Sequence, residues 1–263
     1  MPDSQIPLEQ HNVEIHENQA AFDQKALLGK IYREFHRIIK GSLSDADGEV
    51  LEIGSGIGLI KQTIPQCVCS DIFENPWVDR YENAYRLSCA DESASNLILV
   101  DVFHHLRFPG DALKEWQRVL KPGGRVILFE PCISLLGRIV YGCFHHEPIA
   151  LKEPITWHAD NPEKTNDIDY YAAQGNAYRV FHKRQNIDRL GDWELTTCRR
   201  FSFFSYVASG GFSKPQLYPT ACYRLMKGVD SILNLFPVLF ATRMLIVLTK
   251  ATPSWIKHEK GLN

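Results

Sequence analysis

The run Val50-Leu51-Glu52-Ile53-Gly54-Ser55-Gly56-Ile57-Gly58 constrains this chain more than any other stretch. Its apolar residues predict a short buried strand. The glycines at alternate positions strip Cβ atoms from the turn that follows, so the backbone can bend sharply and lie against a ligand. N–H groups opening the next helix can then face a carboxylate or a phosphate. A dinucleotide site has the spacing G-x-G-x-x-G/A, and a pyrophosphate is poorly served by a neighbouring carboxylate. Here the pattern is E-x-G-x-G-x-G, with Glu52 inside the strand. A nicotinamide dehydrogenase is therefore disfavoured.

The flanking segments extend an alternating pattern. Ala20 to Lys40 predicts an amphipathic helix, with Leu27, Leu28, Ile31, Phe35, Ile38 and Ile39 at helical spacing. Gly41 to Gly48 is a loop into the first strand. A short helix is expected from Gly58 to about Thr63, ended by Pro65. Cys67 to Asp71 reads as the second strand. Its terminal carboxylate stands where a nucleotide fold places the acid that accepts both ribose hydroxyls, ~20 residues after the glycine turn. Ile72 to Arg86, with Asn75-Pro76-Trp77, is too short for a full crossover helix and predicts an irregular loop. Asn96 to Val100, followed by Asp101, fits a strand buried on both faces. Asp111 to Leu120 predicts a helix, and Pro122-Gly123-Gly124 stops it before a strand that ends at Glu130. Asp71, Asp101 and Glu130 thus mark three strand ends, and an open parallel sheet binds ligands outside those ends.

Beyond Pro131 the alternation dissolves. Ile133 to Tyr141 suggests a helix, and Ala150 to Asp169 is polar and proline-marked, longer than an ordinary loop. Asn176 to Leu190 reads as a helix and Trp193 to Phe204 as β. Gly210-Gly211 is a second glycine turn. Leu217 to Leu239 is helical and apolar, which predicts a core helix, and Arg243 to Lys250 is the last strand.

Composition excludes several classes. Net charge is −2, with 44% hydrophobic and 23% charged residues, so the basic excess of a nucleic-acid binder is missing. Met1 to Asn12 is polar and unlike a secretion signal. Ser231 to Leu248 is interrupted by Pro237 and Arg243 and does not predict a membrane span. The seven cysteines include no CxxC pair, which favours buried thiols in a reducing cytoplasm over disulfides or structural zinc.

With its E-x-G-x-G-x-G turn, Asp71, the Asn83-Ala84 pair before Leu87-Ser88-Cys89, the Asn96-to-His105 strand and turn, and the run Arg118-Val119-Leu120-Lys121-Pro122-Gly123-Gly124-Arg125, the chain resembles the class I S-adenosylmethionine (SAM) dependent methyltransferases of the small-molecule type. The resemblance implies an α/β, Rossmann-like, seven-stranded and mostly parallel sheet with helices on both faces. The last strand is antiparallel, and a lid or insertion follows strand five. It divides the chain into an N-terminal helical segment (1–48), the SAM-binding core (49–131), a substrate-covering insertion with its helix (132–192), the C-terminal part of the sheet with an inserted helix (193–250) and a tail (251–263). The implied cofactor is SAM. Its methionine end would lie over Gly54, Ser55 and Gly56, with Gly58 in the same turn and Glu52 orienting that turn or taking the amino group through water. Asp71 would take the ribose, and Asn83 and Ala84 the adenine. Asp101 would meet the methionine end through its carbonyl. The family's usual acid stands as Asn at 83 and 96, and its usual proline as Ser88.

Methyl transfer is an in-line displacement whose donor is already activated, so positioning carries much of the catalysis. A base is needed where the acceptor proton must leave, and histidine suits that task. The candidates are His104 and His105 in the core, and His145 and His146, beside Glu147, in the insertion. His-His-Glu in sequence lacks a third, distant ligand, so no metal is expected. The expected partner is a small-molecule, sugar- or lipid-linked acceptor, with no nucleic acid and no predicted membrane surface. The absence of an Asn-Pro-Pro-Tyr-like run after strand four favours O- or C-methylation over amino methylation of bases. The competing reading is a non-catalytic SAM-fold binding or scaffold protein. The Asn83 and Asn96 replacements leave it open, and the intact Gly54, Gly56, Gly58 and Asp71 argue against it.

Overall fold

A computed structural model describes residues 8–166 and 171–252. The calls on the extreme N-terminus, on 167–170 within the insertion and on most of the 251–263 tail lie outside the described residues. Seven strands form one sheet: β1 (Glu49–Ile53), β2 (Val68–Asp71), β3 (Arg80–Tyr81), β4 (Ala94–Val100), β5 (Leu120–Pro131), β6 (Trp193–Phe201) and β7 (Arg243–Lys250). Their spatial order is β3-β2-β1-β4-β5-β7-β6. β7 runs antiparallel to both neighbours, and the pairings from β3 to β5 are parallel. The order reverses between β1 and β4, and the loops after these two strands open a crevice there.

Alternation along the central strands divides the core in two. Leu51, Ile53, Leu97, Leu99, Val126, Leu128, Met244, Ile246 and Leu248 face one layer. Val50, Cys69, Ile98, Ile127, Phe129, Leu245 and Val247 face the other. Both faces need cover, as a mostly parallel sheet requires. The first layer is closed by α3 (Pro109–Val119), through Ala112, Leu113, Trp116 and Val119, and by the segment around Val180 and Phe181. The second is closed by α2 (Ala26–Lys40), which buries Leu27, Ile31, Phe35 and Ile39.

Several local expectations change. The N-terminal helix is two helices, α1 (Leu8–Gln24) and α2, broken at Lys25. Lys25 leaves helical geometry, and its ammonium donates to the Gly211 and Lys214 carbonyls at 2.7 and 2.6 Å. The helix expected after Gly58 is one 3₁₀ turn, Leu59–Gln62. The β2–β3 connection has no helix, as its proline-marked sequence indicates. Residues 176–190 are not one helix: a π-turn at Tyr178–His182 and a 3₁₀ turn at Ile187–Leu190 are separated by Arg184 and Asn186 at positive φ.

The apolar segment 217–239 is not a core helix. It forms α6 (Tyr223–Leu233) and α7 (Pro237–Phe240), numbered after α4 (Leu135–Ile139) and α5 (Phe204–Ala208). Leu225, Ile232, Leu235, Phe236 and Val238 are all more than half exposed. What α6 buries is Asp230, whose carboxylate accepts the Ser205 amide N–H and hydroxyl. The helix is thus docked through a polar anchor and leaves its aliphatic side uncovered. Among the described residues no helix is long and apolar enough to cross a membrane. All seven cysteines are free thiols.

Candidate active site

A cavity of about 1370 Å³ opens at the crevice between β1 and β4. Glu52, Gly54, Ser55, Gly56, Asp71, Asn83, Ala84, Asp101, His104, His105, His145 and His146 all line it. Of the cofactor and catalytic candidates, Gly58 alone is absent from that lining. A Cβ there would meet the Trp77 carbonyl at 2.7 Å, so Gly58 lets the β2–β3 loop close behind the turn.

The turn after β1 is fastened to β2. The Ser55 N–H donates to the Ser70 carbonyl at 2.8 Å, and Ser55 Oγ accepts the Ser70 N–H at 3.1 Å. The Gly56 N–H donates to Asp71 Oδ2 at 3.0 Å. The Ser55 and Gly56 N–H groups thus brace the strand ends. What the turn offers the cavity is space. Gly56 has φ +53°, and an added Cβ would meet nothing within 4 Å. Gly54 is needed for close approach, since a Cβ there would lie 2.4 Å from Val102 Cγ2. Glu52 is buried, and desolvation pushes its carboxyl well above the usual range.

Asp71 keeps capacity to accept more. Oδ1 takes the Phe73 N–H at 3.3 Å and Oδ2 that of Gly56, and each carboxylate oxygen has a second lone pair. Asn83 is positioned by a local turn: its Oδ1 accepts the Tyr85 N–H at 2.9 Å and its Nδ2 donates to the Thr165 carbonyl. The Ala84 carbonyl accepts the Trp116 indole N–H at 3.0 Å, which ties this wall to α3. Asn96, the second replaced acid, is remote from the cavity. It accepts the Ser44 N–H at 2.7 Å and pins the loop before β1.

At the end of β4, Asp101 has φ +57° and its carboxylate pairs with the Arg243 guanidinium from the first residue of β7. Arg243 is 3% exposed and lies over the Tyr206 ring, 4.8 Å from its centroid. Sequence reading missed Arg243 as a site residue. Its signal was the one charge opening an otherwise apolar strand.

Glu130, at the end of β5, crosses beneath the turn after β4. Its Oε1 accepts the Val102 and Phe103 N–H groups at 2.9 and 2.7 Å, and its Oε2 lies 2.7 Å from His104 Nδ1. His104 Nε2 faces Glu147 Oε2 at 3.5 Å, and Glu147 Oε1 is 3.7 Å from His105 Nε2. His105 Nδ1 lies 2.9 Å from the Tyr171 carbonyl. Burial alone would lower the pKa of His104, but the Glu130 and Glu147 carboxylates outweigh it and raise it to about 10. His105 is lowered to about 4, first by desolvation and then by the charge of His104. The two adjacent imidazoles are thus shifted in opposite directions by their surroundings. His145 and His146 stack, with ring centroids 4.8 Å apart, on the outer side of Glu147. Gln174, also missed in the sequence, hydrogen-bonds to Glu147 from the insertion.

A family model described as a methyltransferase domain matches residues 51–128, from the first glycine-turn strand through β5. Residues 51–128 of this chain are thereby identified as a methyltransferase domain. No curated protein sequence matches it. Among solved structures, a SAM-dependent methyltransferase from Archaeoglobus fulgidus is 14% identical over 84% of this chain and 94% of its own, with a TM-score of 0.50. A SAM-dependent methyltransferase from Methanosarcina mazei is 17% identical over 82% of this chain and 97% of its own, with a TM-score of 0.46. At 14% identity the likeness to the Archaeoglobus fulgidus structure is one of fold. The methyltransferase is an enzyme whose cofactor is SAM, and the open backbone at Gly56, beside Asp71, fits that cofactor.

Proposed function

We propose that this methyltransferase transfers the methyl group of SAM to an oxygen or carbon atom of a lipid-linked acceptor, at the surface of a membrane facing the cytoplasm. One observation carries the lipid assignment. Ile139, Phe144 and Leu217 are 48%, 67% and 75% exposed and also line the cavity. They lie at the rim beside α4, which packs against α7, and α6 and α7 expose further aliphatic side chains. An apolar surface of this kind on a soluble fold marks an interaction site, and a sugar or other polar head carried on a lipid can reach the cavity from it.

In this reading the cofactor supplies an activated methyl group, and the chain supplies position. Gly54, Ser55 and Gly56 bound the methionine end, with Glu52 beneath and the Asp101–Arg243 pair beside it. Asp71 accepts the ribose hydroxyls, and Asn83 and Ala84 border the adenine. Gly58 shapes the turn without touching cofactor. The acceptor lies toward the insertion, where the His105–Glu147 side of the cluster handles its proton. His104, held by Glu130, positions that pair. His145 and His146 form the outer wall, and the insertion 132–192 covers the acceptor. The seven thiols stay reduced in the cytoplasm.

The test is transfer of label from methyl-labelled SAM into extracts of the producing cells, divided into lipid and aqueous fractions. Label in the lipid fraction is expected. Label confined to water-soluble products would remove the lipid assignment. A Phe236→Glu, Leu239→Glu double variant should lose co-sedimentation with anionic vesicles and keep its SAM affinity.

A further inference from the structure

The cluster at the end of β4 brings two imidazoles and a carboxylate to separations that suit ligands of one ion. Glu147 stands 3.5 Å from His104 Nε2 and 3.7 Å from His105 Nε2. Hydrogen bonds between such groups close to roughly 2.7–3.2 Å. Two ligands each ~2.0–2.1 Å from one tetrahedral ion lie about 3.3 Å apart, close to the separations here. One ligand atom from each of His104, His105 and Glu147 lies within 4.8 Å of the other two. The far nitrogens are held as well: His104 Nδ1 by Glu130 at 2.7 Å and His105 Nδ1 by the Tyr171 carbonyl at 2.9 Å. An imidazole whose Nδ1–H donates to a carboxylate or carbonyl presents its Nε2 lone pair, which is how metal-binding histidines are oriented.

We propose that His104, His105 and Glu147 bind one divalent first-row transition-metal ion in the wall of the SAM cavity. The sequence argument against a metal was the lack of a distant ligand. The fold supplies two, because Glu147 returns from the insertion to the turn after β4. Charge supports the assignment: Glu130 and Glu147 are both buried, with 0% and 8% exposure, and an ion between them balances two carboxylates. Gln174 adds a further observation. Its Nε2 lies 3.3 Å from His104 Nε2, while its Oε1 is buried without a hydrogen-bond partner. The same Nε2 donates to Glu147 Oε2, so the amide holds that carboxylate at the cluster.

Two imidazoles and a carboxylate suit zinc, iron or manganese better than calcium or magnesium, which prefer oxygen donors throughout. Three protein ligands leave positions for an acceptor oxygen. A hydroxyl held there is more acidic. Its proton passes to solvent, the O–CH₃ bond forms as the S–CH₃ bond breaks, and S-adenosylhomocysteine leaves. This role rests on the methyl-transfer reading, whereas the ion-binding site does not.

The experiment is calorimetric titration of chelator-treated, tag-free full-length chain with zinc, with the visible spectrum of the cobalt(II) form as a second readout. One equivalent should bind. Glu147→Gln and His105→Ala should each weaken binding about tenfold or more, and both should keep SAM affinity within about twofold, which reports an intact fold. Absence of saturable binding overturns the inference. So does binding that survives both substitutions, or that is lost only in His146→Ala. Failure of SAM to bind while zinc still does would count against the cofactor reading and leave this one standing.

Discussion

The two walls of the cavity, one proposed above to hold the cofactor and the other the acceptor, are built by opposite means. The cofactor wall is made of backbone: the turn after β1 is braced to Ser70 and Asp71 on β2, and three glycines allow it to bend and to approach Val102 and Trp77. Its residues are neighbours in sequence or at adjacent strand ends. The acceptor wall is made of side chains brought from 104, 105, 130, 147 and 174. On that proposal, the cofactor is met by local geometry, whereas the groups that face the acceptor come together through long-range contacts.

The contrast can be broken by substitution. The largest effect is expected for Gly56→Arg, which places a long side chain in open cavity on a backbone at positive φ. SAM binding should weaken by about 1000-fold, some 4 kcal/mol, with circular dichroism unchanged. His105→Ala should lower kcat on the order of 100-fold while the KM for SAM stays put. A rise in the SAM KM instead would mean that the walls are not separate. Asp71→Ala should weaken SAM by roughly tenfold to 100-fold, the range for a lost charge-assisted hydrogen bond, as read by calorimetry. Trp116→Phe removes the donor to the Ala84 carbonyl. It should cost about 1 kcal/mol in urea unfolding and shift SAM affinity little.

The strands and the turn after β1 were legible in the sequence for the same reason. Buried strands write themselves as apolar runs, and the turn after β1 needs glycine. Asp71 and Asp101 were legible because each ends such a run. Glu147 was noticed but could not be joined to His104 and His105, because no local pattern reports that residue 147 folds back across the sheet edge. Arg243 was read as an interruption of hydrophobicity, whereas it is the partner of Asp101. The apolar run 217–239 misled in the other direction: periodicity shows that a helix has an apolar face, and it is silent on what that face meets.

The position of β7 bears on how the protein is made. β7 slots between β5 and β6, and its first residue, Arg243, completes the Asp101 corner. A ribosome releases β5 more than a hundred residues before it releases β7. At ~5–20 residues per second, the twelve-residue β5 waits on the order of ten seconds with one edge unpaired. Through that interval the nascent chain carries a sticky strand and an unfinished corner of the cavity. Chaperone attention should concentrate there, and chains truncated before residue 243 should aggregate rather than persist as smaller SAM-binding proteins.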